Sequence, residues 1–150
     1  MSAVADSRDV FDRTLGSLPE ISAALKRLHS VAWNVVDGDL LEICRLRIAM
    51  ILGCDEELAY RTRGTSDFTL GDLRSWNTNA RFGPRERACL AFAEQFVIDV
   101  KNLDDLTVDD VREHLGVDGL VNFTSALLVL EQRQRLQLAW KEVFVAEEGR

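Results

Sequence analysis

The sequence predicts an all-α single domain, a helical bundle, and three observations lead there. Apolar residues recur at three- and four-residue spacing in nearly every segment, with no sustained two-residue alternation. Only 2 prolines interrupt 150 residues, and each stands where a helix can begin. The 47% hydrophobic content in one domain's length of chain supports a real core without disulfide or metal staples.

Taken in order, Pro19 suits the first turn of a helix through ISAALKRLHSVAWN, with Leu18, Ile21, Leu25 and Leu28 on one face. Asp37-Gly38-Asp39 ends it. Asp39 is expected to cap the next helix, with Glu42 completing an Asp-x-x-Glu capping box. That helix carries Leu41, Cys44, Ile48 and Ile51 on one stripe and stops at Gly53. A third is expected from near Asp55 through EELAYRTR to Gly64. Thr69 caps a short helix, LGDLRSWN, with Asp72 in the box position. Pro84 opens RERACLAFAEQFVIDV, whose apolar stripe is Leu90, Ala93, Phe96 and Val97. Thr107 is expected to cap VDDVREHL, which ends at Gly116. The last helix runs from about Asp118 to Phe144 and turns from apolar to mixed.

Charge and composition exclude several functions. The net charge of −7, from 18 basic and 25 acidic residues, argues against nucleic acid, which needs a basic face. No apolar run reaches the roughly 18 residues of a membrane span. The N-terminus MSAVADSRDVFD lacks a charged-then-apolar signal pattern, so a soluble, cytoplasmic protein is expected. Three cysteines (Cys44, Cys54, Cys89) and two distant histidines (His29, His114) have no zinc-like spacing, so no metal site is expected. Cys44 and Cys89 read as small buried hydrophobes.

Two motifs carry more. The first is LEICRLRIAMILGCDEELAYRTR, with Glu42, Arg45 and Arg47 ahead of Gly53-Cys54. The second is SWNTNARFGPRERACLAFAEQF, with Trp76, Phe82, Pro84, Arg85, Glu86, Arg87, Ala88, Leu90 and Glu94. In this order and spacing they resemble the carboxymuconolactone decarboxylase and alkyl hydroperoxidase D family over roughly residues 18–145, with 1–17 as an N-terminal extension. The resemblance implies an all-helical fold that assembles into trimers or multiples of them. It also implies reactive residues at the Gly-Cys turn and near subunit contacts, and neither metal nor organic cofactor.

The chemistry carries over residue by residue. Peroxidase relatives read Cys-x-x-Cys-x-x-x-His and cycle a dithiol through sulfenic acid and disulfide. Here Glu42 matches the family's glutamate and Cys54 its first cysteine. Glu57 stands for the second cysteine, Arg61 for the histidine, and Glu56 where many peroxidases have another histidine. The dithiol cycle cannot run within this motif. Cys54 alone sits at a helix N-terminus, which lowers a thiol pKa, but Asp55, Glu56 and Glu57 oppose a thiolate.

The decarboxylase branch often reads Gly-x-x-Glu-Glu-Leu-x-x-His, which Gly53 to Arg61 resembles except at the last residue. Arginine is no acid–base catalyst, but it can clamp a carboxylate. The candidate catalytic residues are therefore Glu42, Cys54 and Glu57, with Arg61 and Tyr60 for substrate binding. Glu42 or Glu57 would transfer the proton.

Three functions are expected to compete: a decarboxylase-like enzyme acting on a small carboxylated or lactone metabolite, a thiol peroxidase using Cys54, and a non-catalytic oligomeric binding protein. Plainer roles exist for each residue. Glu42 can cap its helix or pair with Arg45, and Arg61 can pair with Glu57 across one turn. Trp33, Trp76 and Trp140 read as core or interface. His29 reads as a partly exposed helical residue and His114 as a helix-end cation. The last helix carries Phe123, Leu127, Leu130, Leu136, Leu138 and Trp140 on more than one face. That is more than one bundle stripe requires, so a homo-oligomer is expected.

Overall fold

The computed structural model describes residues 18–62 and 67–148, with side chains as far as Lys141. It is all-α, and among the described residues there is no strand. The elements are α1 (Pro19–Val35), α2 (Gly38–Leu52), the single turn α3 (Asp55–Leu58), α4 (Leu70–Arg74), α5 (Pro84–Asp99), a 3₁₀ turn (Val100–Asn102) and the long α6 (Asp105–Glu148). No described helix is long and apolar enough to cross a membrane.

The first three turns of α2 are buried almost all round, from Leu40 to Leu46 without interruption. A helix buried on every side has to sit at the centre, and α5, α6 and α3 pack around it while α1 lies along α6. The single stripe expected from Leu41, Cys44, Ile48 and Ile51 is therefore too narrow, and Ile51 is only half-buried. Gly53 ends α2 at φ 73°, a left-handed conformation that a side chain disfavours.

Several helix ends differ from expectation. Asp37, not Asp39, caps α2, its carboxylate accepting the Asp39 N–H at 2.9 Å. Glu42 belongs to no capping box and points into the core instead. The third helix stops at Leu58, and the Gly64 end expected for it lies outside the described residues. Its continuation is diverted because the Tyr60 carbonyl accepts from Arg45 and the Thr62 N–H donates to Glu42. Thr69 and Asp72 do form the expected capping box. Asp104, not Thr107, caps the first arm of α6, accepting the Thr107 N–H at 2.7 Å. The break comes at Gly116, with φ 77° and ψ 175°, and helix resumes at once.

Apolar side chains are also distributed differently. Phe123, Leu127 and Leu130 are fully buried within the chain, so they leave no surplus for a second subunit. Among the described residues, the exposed large apolar side chains are Leu106, Val117, Val121 and Leu128 on α6, Ile98 and Val100 at and just after the end of α5, and Leu18, Ile21, Leu28, Val31 and Val35 on and just before α1. On α1 it is Ala32, with Leu25 partly buried, that turns inward.

Candidate functional site

Glu42 and Arg45 lie one turn apart in the most buried stretch of α2, and α3 brings Glu57 to meet them. All three are 1% exposed. Arg45 is the hub. Its Nε donates to Glu42 at 2.5 Å, its Nη1 to the Glu57 carboxylate at 2.6 Å and the Glu57 carbonyl at 2.8 Å, and its Nη2 to the Tyr60 carbonyl at 2.9 Å. Its guanidinium also lies over the Tyr60 ring, 4.6 Å from the centroid. Burial works against the charge on Arg45, but the hydrogen bond and charge of Glu42, with that of Glu57, outweigh it and raise its pKa further.

The remaining carboxylate positions are filled from within the chain. The second oxygen of Glu42 accepts from both the N–H and the hydroxyl of Thr62. Glu57 Oε2 accepts the Tyr60 hydroxyl at 2.9 Å, and Oε1 accepts the Gln137 amide at 2.9 Å with Arg133 at 3.6 Å. Gln134, one turn before Gln137 on α6, donates to the backbone carbonyl of Arg45 at 3.0 Å. Four buried or half-buried charges are thus compensated, the condition under which an interior ion cluster is tolerated.

Cys54 closes this centre at the N-terminus of α3 and is fully buried. Its sulfur lies 3.6 Å from the Gln137 amide oxygen and 3.9 Å from the Glu56 carboxylate. Burial pushes the thiol up to about 11. A backbone N–H at Glu57 offsets part of this, and the charges of Glu57 and Glu56 add to it. The dipole of a single helical turn does not overcome them. Tyr60 is likewise pushed up to about 12, first by burial and then by Glu57. Cys44 and Cys89 are buried elsewhere in the core, and no disulfide is present among the described residues.

Of the five site residues expected from the sequence, Glu42, Cys54, Glu57 and Tyr60 come together. Arg61 does not. It is exposed and stacks on Phe68, with its Cζ 4.4 Å from the ring centroid, and it forms no pair with Glu57. The residues missed as members of the site are Arg45, Thr62, Arg133, Gln134 and Gln137. For Arg45 a signal existed: it stands three residues after Glu42 in a largely apolar run, and the pairing of the two was expected as a plain role rather than as part of the site. The glutamines of α6 lie in a mixed stretch that gives no such signal.

A second feature opens at the N-terminal end of α2, a cleft of about 420 Å³. Leu40, Ile43, Phe68 and Phe82 give it an apolar floor, the two rings meeting edge to face at 5.9 Å. Arg81 and Arg85 stand on its walls. Arg81 donates to the Asp67 carbonyl at 2.8 Å and pairs with Asp72 at 3.3 Å. Arg85 pairs with Asp37 at 3.3 Å and Glu86 at 2.9 Å. Among the described residues no cluster of histidine, cysteine and carboxylate side chains suits a metal ion. No family model matches this chain, and no curated protein does.

Proposed function

We propose that this chain is a carboxymuconolactone decarboxylase-like protein that binds a small carboxylated or lactone metabolite without thiol redox chemistry. The positions that carry the family's reactions, Glu42, Cys54 and Glu57, serve here as a structural charge centre. One observation carries this reading: every carboxylate oxygen of Glu42 and Glu57 has a partner inside the chain. A general base needs an oxygen within reach of the proton it removes, and neither residue offers one. The thiol at about 11 is a poor nucleophile at neutral pH. The cleft beside α2, with arginines above an apolar floor, is of the size and character of a small-molecule site. Copies of the chain would associate, as the resemblance implies, and the exposed apolar residues of α1 and α6 are the ones such a contact would cover.

A thermal-shift screen of small dicarboxylates and lactone acids, paired with a turnover assay on each hit, tests the reading. Binders raise the melting temperature by mass action, and none is consumed. Catalytic consumption of any hit, abolished in Glu57→Gln, overturns it in favour of a decarboxylase-like enzyme.

A further inference from the structure

The cleft at the N-terminal end of α2 carries more charge than its pairs use up, and the leftover groups are of both signs. Arg81 engages its partners through Nη1 and Nε, and Arg85 through Nε and Nη2. One terminal nitrogen of each guanidinium, Nη2 of Arg81 and Nη1 of Arg85, has no partner among the described residues. On the opposite account, the carboxylates of Asp39 and Asp67 line the cleft, and no hydrogen bond or ion pair among the described residues ties either of them. Leu40, Ile43, Phe68 and Phe82 line the same cleft and give it an apolar floor.

We propose that the cleft binds a small zwitterion, a compound with one primary ammonium and one carboxylate on an apolar body, of the kind represented by an aromatic amino acid. This rests on the reading that the ligand is a small carboxylate and adds the amine. The carboxylate is received by the one open terminal nitrogen of each of Arg81 and Arg85, through charge-assisted N–H···O bonds. It also faces the starts of α2 and α5, whose first-turn residues line the cleft and whose dipoles favour an anion. The ammonium is received by Asp39 and Asp67, and the body lies on the Phe68 and Phe82 rings.

The charge balance selects the zwitterion over a plain anion. Three carboxylates (Asp39, Asp67 and Glu86) line the cleft against two guanidiniums. A monoanion adds to an excess of negative charge, and a monocation offsets that excess but leaves the open nitrogens of Arg81 and Arg85 without an anion. A zwitterion adds no net charge and gives each leftover group an opposite partner.

Isothermal titration calorimetry on the full chain is the test, with three probes: L-phenylalanine, 3-phenylpropionate, which lacks the amine, and 2-phenylethylamine, which lacks the carboxylate. Phenylalanine is expected to bind saturably with one site per chain, and each truncated probe at least about tenfold more weakly, a loss of about 1.4 kcal/mol. Asp39→Asn should weaken phenylalanine and leave 3-phenylpropionate unchanged or improved. Arg85→Met should weaken both. Each variant's melting temperature is recorded, so that a folding defect is seen as one. If 3-phenylpropionate binds as tightly as phenylalanine and ignores Asp39→Asn, the zwitterion is overturned while the carboxylate reading stands. No saturable binding of any probe at millimolar concentration also overturns it, and the carboxylate reading then depends on the thermal-shift screen alone.

Discussion

Two of the meetings of arginine with carboxylate along α2, at Arg45 and at Arg85, differ in what they leave over. Around Arg45 the partners are 1% exposed, the contacts are 2.5–2.9 Å, and both carboxylates are filled by backbone, hydroxyl and amide groups. Around Arg85 the pairs are solvent-exposed, with a 3.3 Å contact to Asp37, and donors remain unused. Burial is the cause of the difference. A charge in the core must be matched at every lone pair or the fold loses several kcal/mol, whereas water completes whatever a surface pair leaves open. The same residue types therefore hold the fold together in one place and leave recognition chemistry available in the other.

Removing each arginine sharpens that contrast, and the largest effect belongs to the centre. Arg45→Met leaves Glu42 and Glu57 buried without their cation, and urea unfolding should show a loss of about 3–5 kcal/mol. Replacing all three residues by apolar ones of similar volume should recover much of it.

The next effect is alkaline. Cys54 ionises near 9.0 when unfolded and is pushed up to about 11 in the fold. Below about pH 9 both states hold the proton and the thiol adds no pH dependence. Between 9 and 11 only the unfolded chain gives it up, so the stability the buried thiol confers is lost as pH rises, by at most about 1.4 kcal/mol per pH unit. Tyr60 and Cys89, each pushed up to about 12, act in the same direction. Melting curves from pH 8 to 11 should fall less steeply in Cys54→Ala than in the parent chain. The smallest effect is at the cleft, where Arg85→Met should change unfolding free energy by no more than about 1 kcal/mol.

The same division between core and surface explains what the sequence made legible. Helix existence followed from periodicity, and Pro84 and the Thr69–Asp72 box fixed two helix starts because those signals act within one turn of chain. The end of α3 was not legible, because Tyr60 and Thr62 bond to residues of α2 that lie 15 and 20 positions away. Glu42 looked like a cap because its carboxylate stands three residues after an aspartate. Only its position in a helix buried on all sides turns it inward. Gln137 joins Glu57 across 80 residues and gives no local signal at all. Arg61 was placed by analogy with a histidine, but the chain turns after Leu58 and carries it to Phe68. The clustering of Glu42, Cys54, Glu57 and Tyr60, by contrast, is what the family resemblance of the motif implied. What that resemblance did not contain was that Arg45 takes up both carboxylates.

The central claim is that the buried centre is spent on the fold, leaving no group for redox chemistry, and the reactivity of Cys54 tests it most directly. The folded chain is exposed at pH 7 to hydrogen peroxide and, separately, to a thiol-specific alkylating reagent, and the state of each cysteine is read by peptide mass spectrometry. The account predicts that Cys44, Cys54 and Cys89 all remain unmodified thiols until denaturant is added, when all three react together. Rapid modification of Cys54 alone in the native protein, as sulfenic acid or as the alkylated thiol, would contradict it.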